Sequence, residues 1–110
     1  MYELLKFNKK YYQPILTGLK TQTLRKSNKK YKENQIIKAI FPGTDKECYL
    51  KIINTGYKQF KYLTEEDAKK EGYETVNELK QDLLRIYPLL DSFSRVYFYR
   101  FKVLELENEK

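Results

Sequence analysis

The feature that most limits the fold lies towards the end of the chain, where Arg95 to Leu106 alternates in character over a long span. In extended chain, successive side chains point to opposite faces. Val96, Phe98, Arg100 and Lys102 therefore share one face, and Tyr97, Tyr99, Phe101 and Val103 share the other. Apolar groups stand on both faces at one end. Such a run reads as the long closing strand of a sheet. The other extended stretches are Tyr2–Phe7, Lys20–Arg25, Ile36–Phe41 and Cys48–Thr55. The turn chemistry of Pro42-Gly43-Thr44-Asp45 makes the last two a hairpin. Gly56 is expected to end that hairpin, with Tyr57–Leu63 as a further extended piece.

Between these runs the period changes. Asn8 is a capping residue ahead of a short helix up to Thr17. Pro14 is tolerated only near a first turn, so the regular helix is expected to begin near Gln13. Gly18 supplies a left-handed C-terminal cap. Thr64-Glu65-Glu66-Asp67 is a capping-box-like start, and that helix ends at Gly72. Thr75-Val76-Asn77-Glu78 reads as a second and better box. Val76, Leu79, Leu83 and Ile86 then form one apolar face, and Pro88 ends the helix. The expectation is one α+β domain over residues 1–110, a small, mainly antiparallel β-barrel with two to three short helices packed on it. Barrel closure would remove the exposed edges of several short strands.

Composition excludes several chemistries. Histidine is absent, which removes His-based general bases, Ser-His-Asp triads and the usual Cys/His zinc sites. No Asp/Glu cluster has metal-ligand spacing, so no metal or cofactor is expected. The one cysteine, Cys48, sits among apolar residues and reads as a small core hydrophobe. No apolar run approaches the roughly 20 residues of a membrane span, and the N-terminus opens directly on strand-like pattern. A cytoplasmic protein without membrane contact is expected, with a monomer as the default state. The formal net charge is +7, and 11 tyrosines and 6 phenylalanines accompany it. Cations meet phosphate while rings stack on unpaired bases, so this balance points to RNA. The basic stretch from Lys26 to Asn34, with Lys26, Lys29 and Lys30, reads as a surface loop and a nucleic-acid arm.

Chemistry concentrates just past Gly18. Lys20, Thr21, Thr23 and Arg25 make a candidate anion or nucleoside site. A threonine hydroxyl becomes a nucleophile once a base takes its proton, and a lysine can be that base. The bland reading is a solvated lysine and a strand threonine. In a regular strand the two have opposite parity, so they converge only if Lys20 is still in the turn. Arg25 suits a phosphate or carboxylate, or else a salt bridge across the sheet. Glu71 ends its helix, facing Asp67 one turn back, where the dipole opposes an anion. Both effects push its pKa up, which suits a proton donor. The bland reading is an exposed glutamate at a fraying end.

Ile15-Leu16-Thr17-Gly18-Leu19-Lys20-Thr21-Gln22-Thr23-Leu24-Arg25 resembles the I-L-x-G-x-K-T-x-T-x-R signature of ASCH domains. Leu63 to Tyr73, then Leu79 and Tyr87-Pro88, resembles the second block of that family. Phe98 to Phe101 sits where its closing strand lies. The resemblance spans nearly the whole chain in the right order. It implies a PUA-like barrel and a cleft beside the first motif that receives RNA. For a branch of small members it implies an amidohydrolase that removes the acetyl group of N4-acetylcytidine. Carried over by motif, the base, nucleophile and proton donor are Lys20, Thr23 and Glu71. The partner expected is thus a modified nucleoside or RNA. The other reading is a non-catalytic RNA-binding module that uses a basic cleft and the 26–34 loop.

Overall fold

A computed structural model describes residues 2–104. Along the chain come β1 (Glu3–Lys6), a 3₁₀ turn (Lys9–Tyr11), α1 (Tyr12–Thr17), β2 (Gln22–Arg25), β3 (Ile36–Ile40) and β4 (Glu47–Gln59). A second 3₁₀ turn (Phe60–Tyr62), α2 (Glu65–Glu71), α3 (Val76–Ile86) and β5 (Arg95–Leu104) follow. The strands form one curled sheet in the order β1-β3-β4-β5-β2. Only β1 against β3 is parallel; the other three pairings are antiparallel. The class is α+β, as the alternation and capping signals predict. Glu105 and Leu106, the last two residues of the expected closing strand, and the charged tail behind them lie outside the described residues.

The opening feature explains the layering. Tyr99 and Phe101 of β5 point into the curl of the sheet, where they pack with Phe7, Ile15, Ile37, Leu50 and Ile52. Val96 and Phe98 point the other way and meet Leu24, Ala68, Leu79 and Leu83 under α2 and α3. One strand thus supplies a wall to both cores, which is why both of its faces carry apolar groups. Cys48 packs against the edge of the first core, and burial pushes its thiol up to about 11. That agrees with its reading as a small hydrophobe rather than a nucleophile.

β4 departs from expectation. Gly56 does not end the strand; β4 runs on through Tyr57 to Gln59, paired with β5 throughout. A register shift between Ile52 and Asn54 bends it there, and an extra residue of this kind sharpens the local twist. The glycine has a packing reason instead. An added Cβ at Gly56 would lie 2.6 Å from Cζ and 2.8 Å from Cε2 of Phe98. Glycine inside a strand commonly marks such a close approach. Gly56→Ala is therefore expected to lower stability by about 1–3 kcal/mol, the usual cost of overpacking a core. Urea unfolding measures this, and an unchanged midpoint would refute the packing account.

The helix starts also sort differently from expectation. The box at Thr64 is complete: Asp67 N–H donates to Thr64 Oγ1 at 3.1 Å, and Thr64 N–H donates to Asp67 Oδ2 at 3.0 Å. The one at Thr75 is half made. Glu78 N–H donates to Thr75 Oγ1, but the Glu78 carboxylate accepts from Glu74 N–H. On α3, Leu79 and Leu83 are buried while Ile86 is 51% exposed.

β1 and β2 are the two ends of the half-barrel, and side chains span the seam between them. Phe7 N–H donates to Ile40 O of β3. By alternation, the carbonyls of Leu4 and Lys6 face outward from that pairing. Tyr31 Oη donates to Leu4 O at 3.2 Å, and Arg25 Nη2 donates to Lys6 O at 2.9 Å. Those bonds occupy two carbonyls of β1's free edge, which would otherwise be open to another chain. Among the described residues no helix is long and apolar enough to cross a membrane.

Candidate active site

The seam is also where a cleft opens. It is bounded by Lys6 and Phe7 at the end of β1, by Thr23 and Arg25 on β2, and by residues of α2 and α3. Its cavity is about 160 Å³. Of the sequence-derived candidates, Lys20, Thr23, Arg25 and Glu71 line it.

Lys20 reaches this place because it precedes β2. Gly18 takes the left-handed conformation (φ 83°) and ends α1. Lys20 N–H then donates back to Pro14 O at 3.0 Å, so Lys20 is still in the turn and strand parity does not apply to it. Its ammonium lies 3.0 Å from Glu71 Oε1 and 3.3 Å from the Glu71 carbonyl. A cation suits that position, since the carbonyls at a helix C-terminus are unsatisfied and carry negative partial charge. The same ammonium lies 4.7 Å from the centre of the Tyr11 ring. Both partners of the ion pair are buried, Lys20 to 4% and Glu71 to 4% exposure.

Glu71 is therefore not a fraying surface group. Burial raises its pKa, and the Lys20 and Arg25 charges oppose the shift. The direction is the one read from sequence, but the cause is different. Asp67 does not press on Glu71, because Asp67 accepts from Lys58 Nζ at 2.6 Å and from Gln22 Nε2 at 3.3 Å. One oxygen of Glu71, Oε2, is buried without a hydrogen-bond partner. Leaving such an atom unpaired is costly, so it marks a place where a ligand donor is welcome.

Thr23 is 3% exposed, and its Oγ1 accepts from Arg25 Nε at 3.0 Å. The hydroxyl proton is thus directed away from Arg25. The guanidinium is held by Thr23, by Lys6 O and by the Phe7 ring, whose centre is 5.0 Å away. Burial lowers its pKa, with Tyr87 and Glu71 opposing.

The remaining candidates lie elsewhere. Thr21 is held through its backbone, N–H to Lys70 O and O from Phe101 N–H, and does not line the cleft. Lys26, Lys29 and Lys30 are exposed on the loop beyond β2, also outside it. The cleft itself carries Lys6, Lys20 and Arg25 against Glu71 and Asp82, so its charge is mixed.

Sequence reasoning missed a row of polar groups on the helix side. Tyr11 Oη and Tyr73 Oη are 3.0 Å apart, Tyr73 donates to Asp82, and Arg85 Nη2 pairs with Asp82 at 2.6 Å. Burial, then the bond to Asp82, raises the Tyr73 hydroxyl well above its usual range. Gln22, fully buried, was also missed. It joins Asp67 on one side and accepts from Arg100 Nε at 2.9 Å on the other. Its position in β2, opposite in parity to Thr23, was the available signal.

The crystal structure of an ASCH domain from Lactobacillus crispatus superposes with a TM-score of 0.77 at 14% identity, over 93% of this chain and 79% of that one. A crystallised protein of Enterococcus faecalis, assigned to family DUF984, gives 0.76 at 16% identity over 94% and 77%. An N(4)-acetylcytidine amidohydrolase of Moritella marina is 29% identical over 109 residues, 97% of this chain and 98% of that protein. The fold of the chain is thus that of the solved ASCH domain. No protein-family model matches the sequence. In this chain the cleft falls at the seam of the half-barrel, beside the motif from Ile15 to Arg25 on which the resemblance rests.

Proposed function

We propose that this chain hydrolyses the acetyl amide of N4-acetylcytidine. The observation that carries the reading is the buried Lys20–Glu71 pair, with an orphaned carboxylate oxygen, in the same small cleft as Thr23. Such a pair is an expensive structural device, because desolvating both ions offsets most of their attraction. Its use is proton transfer. The similarity to the Moritella amidohydrolase supports the substrate class. A cleft of about 160 Å³ also suits a modified base better than a length of polymer.

The chemistry needs one proton shared by the pair. With that proton on Glu71, the Lys20 amine is free to act as base. Thr23 Oγ1 attacks the acetyl carbonyl carbon and its proton passes to Lys20. The carbon–nitrogen bond breaks as Glu71 protonates the departing cytosine nitrogen. Acetyl-Thr23 and a Lys20 ammonium–Glu71 carboxylate pair remain. Water then attacks the ester, giving its proton to Glu71, and Lys20 returns a proton to Thr23. Acetate leaves as acetic acid, and the site is reset. Arg25 holds Thr23 by donating to its oxygen, which favours the developing alkoxide.

The test is purified protein with N4-acetylcytidine, following cytidine by chromatography. Catalytic release of cytidine is expected, and its rate should change little between low and moderate salt, because the substrate is uncharged and screening acts on charges. Folded protein that releases no cytidine would overturn the proposal.

A further inference from the structure

The cleft is too small for the whole of the substrate proposed for it. Its cavity of about 160 Å³ falls below the roughly 300 Å³ at which ligand pockets begin. Part of the substrate must therefore lie in an adjoining groove. One groove begins at Lys6 and Phe7 and is reached past Arg25, which touches both. Another, of about 500 Å³, shares Tyr73 and Asp82 with the cleft. In the proposed hydrolysis Glu71 gives its proton to the departing nitrogen, so the leaving half of the substrate extends on the Glu71 side. We infer that Tyr11, Tyr73 and Asp82 read that half by its hydrogen-bond donors, with Asp82 accepting from a hydroxyl of its sugar. The inference rests on the proposed reaction and assigns substrate recognition to residues that take no part in its bond-breaking steps.

A continuous row of groups leads from the buried ion pair to the second groove. The Lys20 ammonium lies 4.7 Å from the centre of the Tyr11 ring. Tyr11 Oη is 3.0 Å from Tyr73 Oη, and Tyr73 donates to Asp82 Oδ2. Asp82 stands at the rim, with 15% of its side chain exposed. Tyr73 also follows Glu71 directly in the chain, past the left-handed cap at Gly72.

The direction of every bond in the row is set by its outer end. Burial acts to raise the Asp82 carboxyl, but the bonds from Tyr73 and Arg85 outweigh it and hold the group below its ordinary value. An ionised carboxylate only accepts. The Tyr73 proton therefore goes to Asp82, and the Tyr11 proton goes to the Tyr73 oxygen. Both hydroxyl protons are used inside the row, and what it offers a ligand is lone pairs. Arg85 Nε and Nη2 both donate to Asp82 Oδ1, at 2.9 and 2.6 Å, so Oδ2 keeps a site for one more donor. A wall of acceptors favours a ligand that brings O–H or N–H groups and disfavours one whose own acceptors would face it. The sugar is the hydroxyl-rich part of cytidine, and a hydroxyl on a carboxylate makes a charge-assisted bond. Asp82 is the outermost acceptor of the row and the one that opens on the larger groove.

The test is an NMR titration of the protein with cytidine and with 1-methylcytosine, which carries a methyl group in place of the sugar. The parent is expected to bind cytidine about ten- to hundred-fold more tightly, the worth of a hydrogen bond to a charged group. Asp82→Ala should remove that advantage by weakening cytidine alone. Tyr73→Phe keeps the ring but removes the bond that orients Asp82, and should reduce the advantage about two- to tenfold. Thermal melts establish that both variants are folded. In turnover the same contrast should appear in KM, between N4-acetylcytidine and N4-acetyl-1-methylcytosine. Product binding keeps the two ideas apart. A parent that shows the Asp82-dependent advantage for cytidine but releases none from N4-acetylcytidine would refute the hydrolysis and leave the recognition standing. Equal affinity of the parent for the two ligands, an advantage that survives Asp82→Ala, or an equal weakening of both ligands in the folded variants would each overturn the inference.

Discussion

Thr23→Val is expected to abolish cytidine release, with kcat down by about 10³-fold or more, the scale seen when a nucleophile acting with its base is removed. Valine keeps the shape of the buried side chain and removes only the hydroxyl. The fold should survive, at a cost of about 1–3 kcal/mol for the Arg25 Nε–H left without its acceptor. Thr23→Ser separates chemistry from packing. Serine restores the hydroxyl and the bond from Arg25 but lacks the methyl group. It should recover most of the lost rate while remaining less stable than the parent. Should both variants turn over at the parental rate, Thr23 is not the nucleophile. If serine fails while still binding substrate, the β-carbon methyl is needed to hold the rotamer, and the two variants' kcat and KM locate that effect.

How much of this was legible beforehand depends on distance along the chain. The β5 alternation and the capping residues are local signals, and they placed the strand, α2 and the left-handed turns at Gly18 and Gly72. Gly56 misled because a glycine looks the same whether it ends a strand or admits a neighbour. Only the pairing with β5 shows that Phe98 fills the space where its Cβ would be. Lys20 and Glu71 were both identifiable by residue type, but their contact spans 51 positions and no periodicity encodes it. The direction of the Glu71 shift was readable from its place on a helix end, whereas the burial that dominates it was not. Tyr11, Tyr73 and Asp82 carried no local signal at all. The basic loop was visible as charge, but its distance from the cleft is a consequence of Tyr31 and Tyr99 docking it on the barrel mouth.

The two buried carboxylates of α2, Asp67 and Glu71, end with shifts of opposite sign. Desolvation acts to raise both. At Glu71 it prevails over Lys20 and Arg25, and the pKa is raised. At Asp67 it is outweighed by the bonds from Lys58, Thr64 and Gln22, and the pKa is lowered. A raised acid binds its proton more tightly when folded, so its contribution to stability is full below its ordinary pKa and is lost as pH rises through the folded value. A lowered one contributes above its ordinary pKa and loses that contribution as pH falls through the folded value. One turn of helix thus separates an acid that holds its proton more tightly from one that holds it less tightly and secures the scaffold.

That division makes Asp67→Ala a large stability effect. Asp67 is 2% exposed, and its carboxylate accepts from Thr64 N–H and Thr64 Oγ1, both at 3.0 Å, as well as from Lys58 and Gln22. Alanine removes the reciprocal half of the capping box, takes the anion from partly exposed Lys58 and strands the amide of fully buried Gln22. Losing a cap costs about 0.5–2 kcal/mol, and leaving a buried polar group such as the Gln22 amide unpaired costs about 1–3 kcal/mol more. A domain of this size has roughly 5–15 kcal/mol in all. The variant should therefore approach unfolding near physiological temperature, and α2 would lose the start that positions Glu71. The pH dependence identifies the cause. In urea unfolding the gap between parent and variant should be full at pH 7 and shrink on acidification, because the parent loses the Asp67 contribution as that carboxylate protonates. A gap below about 1 kcal/mol at pH 7 would show that the network is incidental. A gap of the same size at pH 7 and pH 2 would assign the loss to packing rather than to the charge.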